Sequence, residues 1–563
     1  MSALIPIGLG VLALALGYIV YSRLVTKWLV IDYNIKVPSR ELHDGVDYVP
    51  AKHWTILFGH HFASIAGAAP IIGPVIACYV WGWFPAVLWI VIGGVFFGAV
   101  HDYFALTYSV QHKGRSVCDL SERVLGKLAK VAFSAFVLLA LILVVAVFAA
   151  LAGITLAGTP QVVIPTFGLI FVAVIVGLLV YRTNIPLLVD TLIGLVLLFG
   201  LIVLGYYVPV NLPEAIRIVP FGFSITAAQC WTILLLLYAI VASVLPVSLL
   251  LQPRDHLAAG VLFIGMLFGF VGILIARPTM KAPRFVAFTG NAGWLWPMLF
   301  VTIACGAISG FHSLVASGTT SKQLPRMRDA RPIGYGGMIL ECALALLAVI
   351  CVTAGLYWKS IPAGVRGHLY QDLASNPIKA FGTGYGEMTS GIFGALGMLV
   401  GITMLKTFIM TTLDSATRIT RYVCSELLAD TFGLKPFRNR YVSTIVIGVA
   451  AGALALGNWR AIWPIFGSSN QLIAAMVLII ATVYLLTRGR KWVFAAVPAV
   501  LILLTTIGAL VYKFCQFIQV EKRSYLLAVI AGLLILLAVF VVYQGAATVR
   551  RLRRERKEEQ SAG

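Results

Sequence analysis

Charged side chains are scarce in this chain. Asp, Glu, Lys and Arg make up 11% of its 563 residues, whereas 60% of the residues are hydrophobic. A soluble domain has about 25% charged and about 45–50% apolar residues. So few charges cannot cover a surface that faces water, and a water-soluble protein is therefore excluded. Membrane-spanning helices of about 20 residues account for such a composition, and we predict an all-α polytopic membrane protein.

Acidic residues are scarcer than basic ones: 21 Asp and Glu stand against 42 Lys and Arg, a net charge of +21. In a soluble protein that excess would suggest a nucleic-acid partner. Here most basic residues fall in loops after odd-numbered spans, which the positive-inside rule explains. We therefore expect no nucleic-acid partner, an N-terminus outside and a cytoplasmic C-terminus. The basic tail 550–563 is a candidate contact for anionic membrane lipid.

Paired cysteines are absent as well. The eight cysteines include no C-x-x-C pair, and most lie in or beside apolar runs. This pattern indicates small packing residues rather than a disulfide or zinc framework. We predict no cofactor and no metal site, although the sequence leaves open whether its histidines bind a metal.

About 15 apolar runs are long enough to cross a membrane. They lie near residues 4–22, 54–80, 84–110, 131–152, 163–181, 186–209, 224–250, 256–276, 295–317, 334–357, 388–412, 441–457, 462–487, 491–513 and 524–548. Between the seventh and eighth runs, residues 252–255 are interpreted as a short cytoplasmic turn in which Pro253 ends the seventh span. Residues 411–426 are interpreted as an amphipathic cytoplasmic extension of the eleventh.

Two spans share an unusual pattern. Gly59–Gly67 in the second and Gly310–Gly318 in the ninth both fit G-x-H-x-x-x-x-x-G, and helix breakers follow each. The ninth span is seven spans after the second, and this odd offset makes the two segments run in opposite directions. An inverted pair of glycine-interrupted spans is typical of secondary transporters, in which unwound backbone binds substrate or ion. Close packing of helices on small residues is the alternative, but it does not explain three histidines at one depth.

We predict that substrate is bound by residues of these two segments, with half-helix N-termini facing a carboxylate group. The predicted substrate-binding residues are Gly59, His60, His61, Ser64, Gly67, Ser309, Gly310, His312, Ser313, Ser317 and Thr319. His60 and His61 point about 100° apart on a helix, so only one of them faces a given cavity.

Ionisable residues inside spans are the candidates for ion or proton coupling, because each costs roughly 2.5–3.5 kcal/mol to insert. The predicted coupling residues are His61, His312, Glu341, Lys406 and Asp414. For Lys406 the alternative is snorkelling to the membrane interface; for Glu341 the alternative is structural pairing, with Lys406 as one possible partner. Asp102 and Asp190 are weaker candidates because both are expected near solvated cytoplasmic ends. The segment 467–471 either lines a cavity or bridges helices by hydrogen bonds.

The chain resembles the carbon starvation CstA family. The motifs that carry the resemblance are FGHHFASIAGAAPIIGPVIA (58–77), LQPRD (251–255), GFHSLVASGTTSKQL (310–324), TTLDSATRITRY (411–422) and FGSSNQL (466–472). The resemblance implies an inner-membrane uptake carrier for pyruvate, or for peptides, during nutrient stress, with proton-coupled uptake of pyruvate. It also implies a LeuT-like fold of two inverted five-helix repeats.

On that mapping the chain divides into five parts. They are an N-terminal helix and loop (1–53), a first repeat (54–209), two inserted helices (210–294), a second repeat (295–487) and two C-terminal helices with a basic tail (488–563). In this mapping Lys406 takes the place of a bound Na⁺, which favours protons over Na⁺ as the coupling ion.

Taken together, we expect a secondary active transporter, not an enzyme, that imports a small carboxylate by proton symport during carbon starvation, with pyruvate as the first candidate. A peptide carrier of the same fold is the nearest alternative. A membrane redox protein with haem on paired histidines, or a channel, is more remote.

Overall fold

A computed structural model describes residues 1–562 apart from 30, 183–185, 219–222, 248–249, 291, 363–366, 375, 458 and 520–523. The described chain is almost entirely helical. Its helices of seven or more residues are Leu4–Leu16, Ser22–Trp28, Trp54–Ala66, Ala69–Trp81, Trp83–Gly93, Ala99–Gln111, Val117–Leu125, Lys127–Gly158, Val163–Arg182, Leu187–Tyr207, Ala227–Val244, Leu251–Ala276, Gly310–Gly318, Gly336–Gly355, Pro377–Phe393, Gly397–Cys424, Arg440–Ala455, Trp459–Thr487, Val493–Ile518 and Tyr525–Ala562.

Shorter pieces connect or extend these helices. Short α-helical pieces are Pro38–Glu41, Phe300–Thr302, Ala304–Ala307 and Tyr370–Leu373; π-helical turns are Gly17–Tyr21, Gly94–Gly98, Leu295–Leu299, Arg331–Tyr335 and Ser425–Thr431; 3-10 turns are Pro160–Val162, Thr320–Lys322, Met327–Asp329, Gly394–Leu396 and Lys435–Arg438. Two antiparallel hairpins pair Ala215–Ile218 with Phe223–Thr226 and Thr289–Gly290 with Gly293–Trp294. Ala215 lies opposite Thr226 and Thr289 opposite Trp294.

Thirteen helical stretches among the described residues are long and apolar enough to cross a membrane. The predicted polytopic all-α class is therefore confirmed. Two of the expected spans are not among the thirteen. The ninth is divided into short pieces between Leu295 and Gly318, and the twelfth is the 16-residue helix Arg440–Ala455. The count of fifteen stays a prediction.

The span expected at 388–412 is wrong in its boundaries. One helix, Pro377–Phe393, ends at Gly394, where φ is +53°, and a second, Gly397–Cys424, follows. The expected cytoplasmic extension from Thr411 is also wrong, because side chains from Thr411 through Arg421 are buried in that second helix. The apolar run is continuous across Gly394, so hydropathy alone gives no sign of the break.

The turn expected at 252–255 is wrong too. The helix Leu251–Ala276 begins before this segment, and Gln252, Arg254 and Asp255 are all buried within its first turn and a half. Pro253 is compatible with that position because the first turn of a helix has no internal partners for its N–H groups.

Burial separates the centre of the bundle from its edge. The stretches Trp54–Trp81 and Met327–Gly355 are the most buried of the thirteen, whereas Leu4–Trp28 and Leu188–Tyr207 are the least buried. The two central stretches carry His60, His61 and Glu341, so these ionisable side chains lie where protein and not lipid surrounds them.

Candidate functional site

The second span is interrupted at one glycine. The helix Trp54–Ala66 ends at Gly67, where φ is +42° and favours a residue without a side chain, and Ala69–Trp81 resumes beyond it. The carbonyl oxygens of Ala63 and Ser64 lose their helical partners at this break. They accept hydrogen bonds instead from the Thr411 hydroxyl (2.6 Å) and the Thr412 hydroxyl (3.0 Å). The unwound turn is therefore supported by the helix Gly397–Cys424.

The ninth span is interrupted at Ile308 and Ser309, which are both extended, before Gly310–Gly318 begins. The amide of Asn470 caps the new helix: its Oδ1 accepts from the Phe311 N–H (2.8 Å), and its Nδ2 donates to the Ser309 hydroxyl (2.9 Å). A Cβ on Gly310 would collide with the backbone of the helix that carries Asn470. The segment 467–471 thus bridges helices by hydrogen bonds, and the half-helix terminus expected to face substrate is engaged by Asn470.

A row of four ionisable side chains adjoins this second break, and we call it the histidine–carboxylate cluster: His101, Asp102, His312 and Glu341. Asp102 accepts hydrogen bonds from His101 Nδ1 (2.7 Å) and from His312 Nδ1 (2.9 Å). On its other side, His312 Nε2 lies 3.1 Å from Oε2 of Glu341, without the alignment of a hydrogen bond. All four side chains are fully buried. His312 thus stands between two buried carboxyl groups.

His61 lies on the interrupted second span and is fully buried. Its Nδ1 is 2.9 Å from the Thr320 hydroxyl, just beyond the helix that carries His312. Its Nε2 has no hydrogen-bond partner in the described part of the chain, and the same is true of both Glu341 oxygens. These unpaired buried atoms belong to two of the expected coupling residues.

A second group of charges includes His60, the residue next to His61 on the same helix, and we call it the arginine network: His60, Asp255, Arg254, Asp414 and Tyr238. His60 Nδ1 donates to Asp255 (2.6 Å), and Arg254 donates to Asp255 (2.6 Å) and to Asp414. The Tyr238 hydroxyl donates to Asp414 (2.9 Å). Asp414, which was expected to take part in coupling, is thus an ion-pair partner of Arg254. The sequence had placed Arg254 in a turn.

Lys406 is fully buried, so the alternative of snorkelling is wrong. Its ammonium donates to the Ala152 carbonyl oxygen at 2.9 Å. The structure gives no ion pair between Lys406 and Glu341 among the described residues, because Glu341 faces His312 instead. Lys406 therefore lies apart from both groups of charges.

The predicted hydroxyl ligands are mostly engaged with their own protein. Ser64 and Ser415 hydroxyls are 2.8 Å apart. Ser313 and Thr319 donate to backbone carbonyls of their own helix, and the Ser317 hydroxyl accepts from the Val117 N–H. The structure therefore brings His312 and Glu341 together, whereas it leaves the serines and Thr319 satisfied elsewhere.

Sequence reasoning undervalued Asp102 and did not select His101, Arg254, Asp255 or Asn470. Asp102 and Asp190 are fully buried, contrary to the expectation of solvated ends. A usable signal was present, because His101 and Asp102 form an ionisable pair inside an apolar run and Arg254 lies in a conspicuous motif. Among the described residues, no group of three or more His, Cys, Asp or Glu is arranged to hold a metal ion.

Interrupted helices around buried ionisable side chains are typical of secondary transporters, and the overall arrangement of the helices is a LeuT-like fold. The fold matches a crystal structure of the Eremococcus coleocola manganese transporter with a TM-score of 0.50 and 12% identity, over 91% of this chain and 99% of that chain. At such low identity the likeness defines the fold alone. The predicted LeuT-like class is confirmed, while the exact pair of inverted repeats stays a prediction.

The sequence comparisons identify the family. The family model described as carbon starvation protein CstA matches residues 2–375 and 368–509, and the chain belongs to this family of transporters. The peptide transporter CstA of Helicobacter pylori is 34% identical, over 87% of this chain and 79% of that protein. The pyruvate/proton symporter BtsT of Escherichia coli is 31% identical, over 91% and 81%.

Proposed function

We propose that this chain imports a small carboxylate by proton symport, with pyruvate as its substrate. The observation that carries the proposal is the histidine–carboxylate cluster, in which His312 bridges Asp102 and Glu341 without exposure to solvent. A similar chain, the Escherichia coli pyruvate/proton symporter, adds support for both the substrate and the ion.

The charge balance of the cluster supports a proton as the coupling ion. His312 uses Nδ1 to donate to Asp102, so Nε2 and a Glu341 oxygen face each other across 3.1 Å. Without a proton between them, an imidazole lone pair would oppose a carboxylate, with two buried negative charges around one neutral ring. Burying unpaired charge is costly. One proton, on His312 or on Glu341, relieves this repulsion.

The location of His312 couples that proton to a conformational change. His312 belongs to the short helix that begins at the Ser309 break, whereas Asp102 and Glu341 belong to the helices Ala99–Gln111 and Gly336–Gly355. Movement of the short helix would therefore change the separation of His312 from its two carboxyl partners. Protonation of the cluster would then favour one position of the short helix, and that position would in turn favour protonation.

Lys406 is proposed as a fixed positive charge in place of a bound Na⁺. Its ammonium is buried and held by a single described hydrogen bond, to the Ala152 carbonyl. In its protonated form, Lys406 would make a Na⁺ ion at this place electrostatically unfavourable. Protons are then the coupling ion, and Na⁺ is not.

The substrate is proposed to lie between the two interrupted spans, with its carboxylate near 59–67 and 309–319. Among the expected ligands, His61 has a buried ring nitrogen that could bind the substrate, because its Nε2 has no hydrogen-bond partner in the described structure. Binding of the carboxylate near Ser309 would require Asn470 to release the Phe311 N–H.

Peptide uptake is the second candidate, and relatives favour it. The peptide transporters CstA of Helicobacter pylori and of Escherichia coli are 34% and 32% identical to this chain. A peptide also ends in a carboxylate, so the two candidates share one recognition chemistry and differ in the space that they require.

The topology belongs to the same proposal. We place the chain in the inner membrane with its N-terminus outside and its C-terminus inside, and we assign 54–209 and 295–487 to two inverted repeats. The basic tail would contact anionic lipid of the cytoplasmic leaflet.

Uptake by proteoliposomes tests the function. Labelled pyruvate should accumulate when an inward proton gradient is imposed, and an equal Na⁺ gradient should have no effect. Unlabelled di- and tripeptides serve as competitors. Acceleration by Na⁺ but not by protons would contradict the coupling, and peptide transport without pyruvate transport would favour the second candidate.

A further inference from the structure

Three cations surround a single carboxylate at one end of the bundle. Arg418 donates to Asp47 (2.7 Å), and Arg421 lies 3.5 Å from the second Asp47 oxygen. The Lys322 ammonium lies nearby, 3.8 Å from the centre of the Tyr422 ring, and its charge helps to lower the pKa of Asp47. The three basic residues belong to loops or helix ends after odd-numbered spans, as does Asp47, so they share one side of the membrane in the proposed topology. We call them the three-cation site.

The side chains of the three-cation site are buried and are held in place by hydrogen bonds and by contacts with an aromatic ring. Arg418 is fully buried and also donates to the Ala242 carbonyl (3.0 Å) and to the Leu245 carbonyl. The Tyr422 ring lies between the other two cations, 3.8 Å from the Lys322 ammonium and 4.6 Å from the Arg421 guanidinium carbon. Such cation–π contacts hold the two charges in place.

The cations hold more donors than Asp47 satisfies. Nε of Arg418, and both Nε and Nη2 of Arg421, are buried without a hydrogen-bond partner in the described structure. The nearby Glu426 carboxylate does not take up these donors in the described structure; it accepts a hydrogen bond from the Ser116 hydroxyl (2.5 Å). A guanidinium fork matches a carboxylate in shape and charge, so the leftover donors suit a carboxylate anion.

Asp47 is the residue of this arrangement that we expect to move away from the cations. It is 18% exposed, whereas the Lys322, Arg418 and Arg421 side chains are 9% exposed or less. It lies in the loop 29–53, in a tight turn that the Asp44 carboxylate stabilises by accepting from three backbone N–H groups. Burial opposes its ionisation, but Arg418, Arg421 and Lys322 outweigh burial and lower the pKa of Asp47.

We propose that Lys322, Arg418 and Arg421 form a binding site for a small carboxylate anion, and that Asp47 occupies this site as a tethered substitute. Arg418 lies one helical turn from Ser415, whose hydroxyl contacts Ser64 beside the interrupted second span. The site therefore continues from the proposed substrate region toward the cytoplasm. When the Asp47 loop withdraws, a carboxylate that leaves the centre of the bundle meets these cations.

Binding to Asp47→Asn tests the site without any transport. Purified full-length protein would be heated in detergent with increasing sodium acetate, against sodium chloride at equal ionic strength. Acetate should raise the unfolding temperature of Asp47→Asn saturably, by about 2 °C, and should have a smaller effect on the wild type, whose site is filled. Adding Arg421→Gln should abolish the gain.

Asp32→Asn is the matched control, because it removes an exposed carboxylate from the same loop. An equal gain in Asp32→Asn, or no acetate dependence in Asp47→Asn, would overturn the proposal. If Asp47→Asn fails to fold, Asp47→Ser keeps all three cations and a small polar side chain and should still bind acetate, and its failure to do so overturns the proposal as well. The assay involves no pyruvate and no gradient, so its failure is distinct from a failure of the proposed function.

Discussion

Two buried groups of charges lie near adjacent residues, His60 and His61, of the helix Trp54–Ala66, and they are neutralised by different means. In the arginine network, the guanidinium of Arg254 binds both Asp255 and Asp414. In the histidine–carboxylate cluster, the group between Asp102 and Glu341 is the imidazole ring of His312. One group contains a cation that is charged at every physiological pH, whereas the other depends on protons.

The helix itself connects the two groups through adjacent residues. His60 donates to Asp255 of the arginine network, while His61 points toward Thr320 beside the cluster. The comparison teaches that burial of carboxylates alone does not mark a coupling site. We therefore propose a structural role for Asp255 and Asp414, which have Arg254 as a permanent partner, and an exchange of protons at Glu341, which has no such partner among the described residues.

Removing the permanent cation should have the largest effect. Arg254→Gln leaves Asp255 and Asp414 buried without their guanidinium, and breaking a buried pair in this way costs about 3–5 kcal/mol. We expect a large loss of folded protein and a lower unfolding temperature in detergent. Arg254→Lys, which retains the charge, should recover part of the stability. Equal stability of Arg254→Gln and the wild type would show that the network is not structural.

Glu341→Gln should affect coupling rather than folding. The amide keeps the shape of Glu341 but cannot exchange a proton with His312, so proton-driven accumulation of pyruvate should fall by about tenfold or more. Exchange of labelled for unlabelled pyruvate at equal concentrations needs no net proton movement and should persist. The unfolding temperature serves as the control for folding. Undiminished accumulation would assign the coupling proton to another residue.

Lys406→Met should reduce transport less than Glu341→Gln does. Unlike Arg254→Gln, it should not lower the stability of the protein. Loss of a buried ammonium removes a desolvation cost, so the protein should be no less stable than the wild type. Because the fixed charge is gone, proton-driven uptake should fall by about fivefold and Na⁺ should gain some influence on it. Coupled uptake that is unchanged in this variant would refute the role given to Lys406.

Ser64→Ala should have the smallest effect. It removes the hydrogen bond between the Ser64 and Ser415 hydroxyls, which is worth about 1 kcal/mol, while the Thr412 bond to the Ser64 carbonyl remains. We expect a slightly lower unfolding temperature and an unchanged response to protons. A loss of proton dependence here would extend the titrating region beyond the histidine–carboxylate cluster.

Much of the fold follows from the sequence because apolar runs and helix breakers are local signals. The interruptions near Gly67 and Gly310 are of this kind. The break at Gly394 was missed because the apolar run continues through it, and the helix start at Leu251 was missed because Pro253 was interpreted as an end. A proline is compatible with both positions.

The site was only partly predictable, because depth and partners are tertiary properties. His312 and Glu341 were selected as ionisable residues within spans, and the structure brings them together. Asp102 was assigned to a solvated end because its position was judged along one helix, whereas neighbouring elements bury it completely. Likewise, no local pattern connects Arg254 with Asp414, since 160 residues separate them.

The most direct test of the account is to follow protons during substrate entry. Proteoliposomes that contain a pH-sensitive dye, with no imposed gradient, would be given external pyruvate, and the same would be done with Glu341→Gln. We predict that pyruvate acidifies the interior of wild-type vesicles, and that Glu341→Gln, which still exchanges pyruvate when it is present on both sides, produces no acidification. Pyruvate entry without proton movement in the wild type, or equal acidification in Glu341→Gln, would contradict the claim that the histidine–carboxylate cluster carries the coupling proton.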